Sequence, residues 1–497
     1  MKRAPQLAFA ADMSSPIDRR TALYRLGAVC GALASGAAGC FRSGRAPPLR
    51  THDLAGLQRI VGGRVLPRGS AEYELVRSSL VWNGRVPEHL PYAIVQVTSD
   101  ADVRAAVRFA GGNDLRVSIR GSGHNWHNQV LQQDALLLDL SRLDELRVDA
   151  PNGRATVQPG INGGQLMAQL APLQLAFSIG HSPRVPMSGY LLNGGLGWNY
   201  RQWGPACSSV RAIEMIDAQG ESLVADADRH ADLYWAARGA GPGFFGVATR
   251  FHLDLQPLPA AMMRSTFACS IDSTDALAAW LDRVVPLDPS VELICSASEG
   301  EWTVQAVAFA GNTAEARRAL APLESVPANL TTTRKRLYQS VDVETVFGRS
   351  GVRFVKGPRY AGDTLWSNAS PRQLMSAVRE RLPSARSNGT VTFDWLSRAG
   401  AAPLPDMAFS MDASTYVHAH TSWGDAAADA AMIAWTADTM TALDPLNAGY
   451  YVGETDLTVA SRAPRCYSPT AWSRIAQLKQ RHDPDNRFHN PLQQGLT

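Results

Sequence analysis

The sequence predicts an α+β protein made of two unequal parts and a closing segment. Three observations carry this. From about residue 56 to 260, short strand-like runs alternate with helical stretches. From 261 to 445 a second set of strand runs is interleaved with amphipathic helices, which reads as an antiparallel sheet covered by helices. Residues 446–497 change character, with a loop, one amphipathic helix and a Pro/Asn-rich tail.

In order, "YAIVQVTS" reads as a strand, and "DADVRAAVRFAGGN" as a helix capped near Asp100 or Asp102 and ended by a glycine pair. "LRVSIR", "ALLLDLS" and "RATVQPG" are further strands, and "NGGQLMAQLAPL" is helical. "VRAIEMIDAQGESLVAD" reads as a hairpin turning near Gln219–Gly220. "QPLPAAMM" reads as a break between the two parts. Beyond it, "VELICSAS", "WTVQAVAFAG" and "STYVHAHTSW" are strands, while "STDALAAWLDRVV", "TAEARRALAPL" and "AAADAAMIAWTADTMTAL" are helices.

The 497 residues exceed one ordinary domain, and 45% hydrophobic with 19% charged content fits a globular chain with a large core. A net charge of +3, with arginines scattered rather than clustered, argues against nucleic acid as a partner. Residues 1–40 read as an export signal: Arg19 and Arg20 precede a Gly/Ala-rich apolar run too short to span a bilayer. Residues 41–55 are a linker. The expected location is therefore periplasmic or secreted. "AAGC" makes Cys40 a candidate lipidation site, although Ala37 stands where such sites usually carry Leu; a membrane contact is expected only through that lipid. Cys207, Cys269, Cys295 and Cys466 show no paired spacing and read as buried free thiols.

"RGSGHN", residues 120–125, follows a strand. Taken alone it reads first as a tight surface turn. Its second reading is a nest in which the backbone of Gly121, Ser122 and Gly123 binds phosphate oxygens, Arg120 adding a charged contact, and Asn125 is counted with the loop as a candidate cofactor-binding residue. A metal held by His124 and His127 lacks a third local ligand, "HAH" at 418–420 is likewise set aside, and no metal is expected. "NGGLGW" has Gly195 and Gly197 but Tyr200 where a dinucleotide fingerprint needs glycine, which argues against a nicotinamide-binding Rossmann domain.

The order of motifs is more specific than any one of them. "RGSGHN", "LLLDLSRL", "VQPG", "GHSPRVPMSGYLLNGGLGWNYRQWGPACSSV" and "DLYWAARGAGPGFFGVAT" follow one another, and "WSRIAQLKQRHDPDNRFHNP" comes near the C-terminus. Together they resemble the PCMH-type FAD-binding domain of the vanillyl-alcohol oxidase flavoproteins, most closely the berberine-bridge-enzyme-like oxidases. The resemblance implies a two-part FAD-binding domain over 56–260, a substrate domain over 261–445 and a C-terminal segment, 446–497, that returns to the FAD domain.

It also implies roles. The "RGSGHN" loop would hold the FAD pyrophosphate, with His124 bonded covalently to the flavin. Asp139, Leu140 and Ser141 match the adjacent strand, Pro159 and Gly160 a turn near the adenosine, and Gly189, Gly194, Gly195 and Gly197 the glycine segment beside the cofactor. Val247 matches a residue on the adenine side, and Asn486 and Phe488 the closing segment. Ser182 stands where some members carry a second flavin-linking cysteine, so a single covalent bond is expected. The family's Y-x-N-Y pattern is broken in "NAGYYVGETDL", which leaves Tyr450, Tyr451 and Glu454 as candidate bases. Tyr416, His418 and His420 share one strand face and are candidates to line the pocket or to pair across the sheet, and Asp394 and Trp395 stand in the same position.

The expected activity is an exported FAD-linked oxidase. It would remove a hydride from a C–H beside a hydroxyl or amine of a saccharide, polyol or secondary metabolite. O2, or another electron acceptor, would reoxidise the flavin. A noncovalent flavin dehydrogenase and a catalytically silent binding protein are the alternatives.

Overall fold

The computed structural model describes residues 52–348, 355–382 and 389–492. The expected export signal, Cys40 and most of the expected linker lie outside them. Three sheets organise the chain.

The first has four strands: β1 (Arg64–Pro67), β2 (Ala93–Gln96), β3 (Val117–Arg120) and β4 (Leu136–Asp139), in the order β1-β2-β4-β3. β2, β4 and β3 run parallel, so their residues are buried on both faces, and Leu136, Leu137 and Leu138 are wholly enclosed. The helix Asp100–Gly112 packs on this sheet. Its N-cap is Ser99, whose Oγ accepts from the Asp102 N–H; the Asp102 carboxylate is used instead to hold the backbone of Thr98 and Gly62.

The second sheet is antiparallel: β5 (Leu146–Asp149), β6 (Arg154–Val157), β8 (Val210–Ile216), β9 (Ser222–Asp226) and β10 (Val247–Asp254), in the order β5-β6-β10-β8-β9. The β8–β9 turn has Gly220 at φ +77°, as a tight hairpin requires. A small pair joins β7 (Leu175–Ala176) to β11 (Gln256–Pro257).

The third sheet has seven antiparallel strands: β12 (Ala261–Ser270), β13 (Val291–Ser298), β14 (Glu301–Ala310), β15 (Thr332–Ser340), β16 (Arg359–Ser367), β17 (Gly389–Trp395) and β18 (Thr415–Trp423). Their order is β15-β12-β14-β13-β17-β18-β16. The break expected at "QPLPAAMM" is shorter than the sequence suggests, because Ala261 already begins a ten-residue strand. One face of this sheet is apolar, with Phe267, Cys295, Val304, Phe393 and Val417 enclosed beneath helices Thr274–Val284, Thr313–Leu320, Pro371–Val378 and Asp429–Leu443. The opposite face is polar, and this alternation creates the site.

The chain's end closes on the first sheet. Val117 N–H donates to the Arg487 carbonyl (2.7 Å) and His489 N–H to that of Val117 (2.8 Å), with Phe488 2% exposed between them. All four described cysteines are buried free thiols.

Candidate active site

One cavity of about 860 Å³ joins the loop after β3 to the polar face of the seven-stranded sheet. The loop is positioned by tight packing. A Cβ on Gly121 would lie 1.9 Å from Ser188 Oγ, and one on Gly123, at φ +69°, 2.0 Å from the Leu80 carbonyl. Only glycine lets the backbone thread between these segments.

Gly121, Ser122, Gly123, His124 and Asn125 all line the cavity. The buried hydroxyls of Ser118, Ser122 and Ser182 line it too, and none has a partner among the described residues. Buried donors left open around a glycine loop suit a ligand rich in oxygen acceptors, such as the pyrophosphate of a dinucleotide.

Arg120 lies elsewhere. Its guanidinium binds Asp139 (2.7 Å) and the carbonyls of Leu80 (2.9 Å) and Ser122 (2.8 Å), so its donors brace the loop from behind. His124 packs 4.6 Å from the Trp82 ring, which stacks on Tyr360. Burial, helped by the Arg184 charge, lowers the His124 pKa to about 4, so its imidazole is neutral with a free nitrogen lone pair. His127 is a poorer candidate: it is not on the cavity wall, and its Nδ1 lies 3.9 Å from Asp456.

The remaining sequence candidates divide. Leu140, Ser182 and Gly189 line the cavity. Ser141, Pro159 and Gly160 do not; Gly160 instead packs on the backbone of residues 141–143, its N–H donating to Leu143. Gly194, Gly195 and Gly197 make room for Phe409, Ala206 and Tyr190 rather than facing the cavity. Val247 is enclosed in the core with Ile216 and Phe488, while its neighbours Gly246 and Ala248 reach the wall. Asn486 accepts from Lys479 Nζ (2.9 Å) and braces the C-terminal turn; His489 and Pro491 reach the cavity instead.

The three candidate bases separate clearly. Tyr450 is off the cavity, its hydroxyl turned to Asp444 (3.4 Å) and its ring beneath Arg462 and Arg465. Tyr451 is on the wall, its oxygen accepting from Gly195 N–H (3.3 Å), but burial and the Glu454 charge push its pKa far up. A phenol so disposed is a poor proton acceptor. Glu454 lines the cavity and accepts from the Tyr416 hydroxyl at 2.5 Å.

Sequence reasoning named Asp394 as a pocket candidate but missed the buried cluster it joins at the cavity, with His181 on the wall and Glu292 behind it. Glu292 of β13, 2% exposed, binds His181 Nε2 through one oxygen and accepts the Asn199 N–H (2.9 Å) through the other. Asp394 of β17 joins them, the three ligand atoms lying within 4.8 Å of one another. Burial opposes the His181 charge, but the Glu292 carboxylate outweighs it and lifts the pKa to about 9. Without a bound ion the trio is an ion pair beside an acid. Burial, together with the Glu292 charge, pushes the Asp394 carboxyl well above its ordinary range, and Asp394 Oδ1 has no partner. A signal did exist: in the alternating run "VELICSAS" the charge of Glu292 falls on the same strand face as Ser296 and Ser298.

Tyr416, His418 and His420 do line the cavity. The two histidine rings stack at 4.7 Å, so they share a face, and among the described residues no third ligand joins them.

A loop of open donors facing a polar sheet across a large cavity suits a dinucleotide cofactor on one side and a polar ligand on the other. Residues 91–226 match the family model described as an FAD binding domain. The chain is 30% identical over 434 residues to the FAD-linked oxidoreductase janO of Penicillium janthinellum, covering 85% of this chain and 95% of that one. It is 27% identical to the (R)-6-hydroxynicotine oxidase of Paenarthrobacter nicotinovorans, over 82% and 92% of the two chains. Among solved structures, the berberine bridge enzyme of Eschscholzia californica superposes with a TM-score of 0.76 at 20% identity, covering 88% of this chain and 98% of the other. The chain belongs to the FAD-linked oxidoreductases, with a PCMH-type, berberine-bridge-enzyme-like fold. It is an FAD-dependent oxidoreductase.

Proposed function

We propose that this enzyme is an exported oxidase of small polar molecules bearing a hydroxyl or amine, with saccharides and polyols the favoured class. The observation that carries the reading is the continuity of the cavity: the loop after β3 and a polar sheet face carrying an unpaired carboxyl share it. The sheet presents Ser296, Ser298, Thr303, Gln305, Thr390 and Thr392 to the cavity, a wall suited to hydroxyl-rich ligands.

Bound FAD would supply the acceptor for a hydride leaving the substrate carbon. The remaining work falls to this chain's side chains. Asp394, once ionised, takes the proton from the substrate hydroxyl or amine; its raised pKa makes it a stronger base than an ordinary carboxylate. The His181–Glu292 pair keeps the Asp394 side chain beside a fixed charge. Tyr416, held by Glu454, orients the substrate oxygen. Tyr450 drops out as a base, and Tyr451 and Glu454 serve the wall.

His124 carries the proposed covalent link to FAD, for which a neutral imidazole is required. Ser182 offers no thiol for a second. O2 is the proposed final acceptor, leaving as hydrogen peroxide. Export through the Arg19–Arg20 segment belongs to the same reading, and cell fractionation tests it.

The central experiment is anaerobic mixing of the purified yellow protein with a panel of sugars, polyols and amines. Bleaching of the flavin absorption is expected with at least one hydroxylated compound. Failure across the panel would leave a silent binding protein; bleaching without peroxide after air is admitted would leave a dehydrogenase.

A further inference from the structure

The cavity wall carries one residue that the reaction does not use. Arg264 of β12 reaches the cavity, and its Nε is buried with no partner. Among the described residues its guanidinium has no hydrogen bond and no ion pair within reach. Four other partly buried arginines are committed, Arg120 to Asp139, Arg462 to Asp363, Arg359 to Asp429 and Arg201 to four backbone carbonyls; Arg104 also leaves its Nε open, but it is off the cavity. A buried donor left open is costly unless something fills it.

The charges of this cavity are also segregated. Asp394 and Glu454 sit on or near β17 and β18, whereas Arg264 is the lone Lys or Arg among the described lining residues and lies towards the opposite edge of the sheet. The register Thr266–Gln305–Ile294–Asp394 puts three strand steps between β12 and β17. That is about 14 Å at ~4.8 Å per step. Between them the wall is polar, with Gln305 and the bonded pair Ser296–Thr392 (3.0 Å). An anionic group is attracted at the arginine end, and the Glu454 carboxylate disfavours it at the other.

We propose that Arg264 is a specificity residue that binds a substrate carboxylate, so that the preferred substrate is a hydroxyl-rich acid oxidised at a carbon remote from its acid group. A planar guanidinium meets a carboxylate through two parallel hydrogen bonds, which also fixes the direction of the molecule. The carboxylate sits on Arg264 and a neutral hydroxyl reaches Asp394. The inference rests on the cavity being the substrate site, as proposed above.

Matched probes isolate the acid group: lactobionate against lactitol, and D-gluconate against D-glucitol. In each pair a carboxylate replaces a terminal CH2OH. Calorimetric titration of the flavin-loaded protein should show tighter binding of at least one acid than of its neutral partner. Arg264→Gln should weaken that acid at least about 30-fold and leave the neutral partner within about twofold. Arg264→Lys should keep part of the preference, because charge survives but the fork does not. No acid preference in the unaltered protein, or a preference that survives Arg264→Gln, overturns the proposal. Calorimetry needs no turnover, so a protein that binds the acid through Arg264 but never bleaches would sink the oxidase reading and not this one.

Discussion

Asp394 combines enclosure, an unpaired oxygen and a neighbouring negative charge, and each raises the cost of its ionised form. Asp394→Asn should lower kcat by about 10²–10⁴-fold while leaving the visible flavin spectrum intact. Below the raised pKa the base is protonated and idle, so kcat/KM of the unaltered enzyme should climb with pH above the usual carboxylate range. A flat profile would remove Asp394 from the proton transfer. At His124, a burial-lowered pKa of about 4 keeps the imidazole neutral. His124→Ala should release yellow cofactor into the supernatant on acid precipitation, whereas the unaltered protein should retain it in the pellet. His181 behaves oppositely. Its folded pKa of about 9 lies above its ordinary 6.5. Its ion pair therefore adds stability that is complete below about pH 6.5 and fades as pH rises through about 9. Thermal melts should show a loss between these pH values that shrinks in His181→Gln.

At the scale of elements, the loop after β3 and the polar sheet face do different work. The loop is built on close approach: Gly123 combines φ +69° with a carbonyl 2.0 Å from where a Cβ would sit. Gly123→Ala should cost more than about 1 kcal/mol and lower flavin content, both measurable on the purified protein. Local elements of this kind were legible in the sequence. "RGSGHN" stands out because glycine, serine and histidine follow a strand directly, and the runs "LRVSIR", "ALLLDLS" and "VELICSAS" alternate or cluster as their strands do. Less legible was whatever depends on register. Glu292 and Asp394 come together because Ile294 faces Asp394 across β13 and β17, and His181 arrives from a loop 111 residues before Glu292. No local pattern encodes that meeting. Arg120 misled for the same reason: its motif position suggests a phosphate contact, but the pairing of β3 with β4 sets it opposite Asp139, which takes the charge.

For the whole molecule, the cavity draws one wall from the region before residue 260 and the other from the region after it, so no separated half contains the site. Phe488 pins the last described segment against the first sheet, with Val117, Ile216 and Val247 around it. Phe488→Ala should cost about 3–5 kcal/mol of unfolding free energy. Denaturant titration monitored by flavin and by tryptophan fluorescence should show both signals shifting together.

The pairing of Val117 with Arg487 and His489 also sets a schedule. The strand that carries the cofactor loop is made early in synthesis, yet its backbone partner, Arg487 to His489, lies far along the chain. Contacts this distant along the chain form late. A ribosome-tethered chain that stops short of Arg487 therefore holds β3 paired with β4 alone, its outer edge open, and cofactor capture waits for that segment to emerge. Chains stalled before Arg487 should take up no flavin, while released full-length chains should load it in a single maturation step.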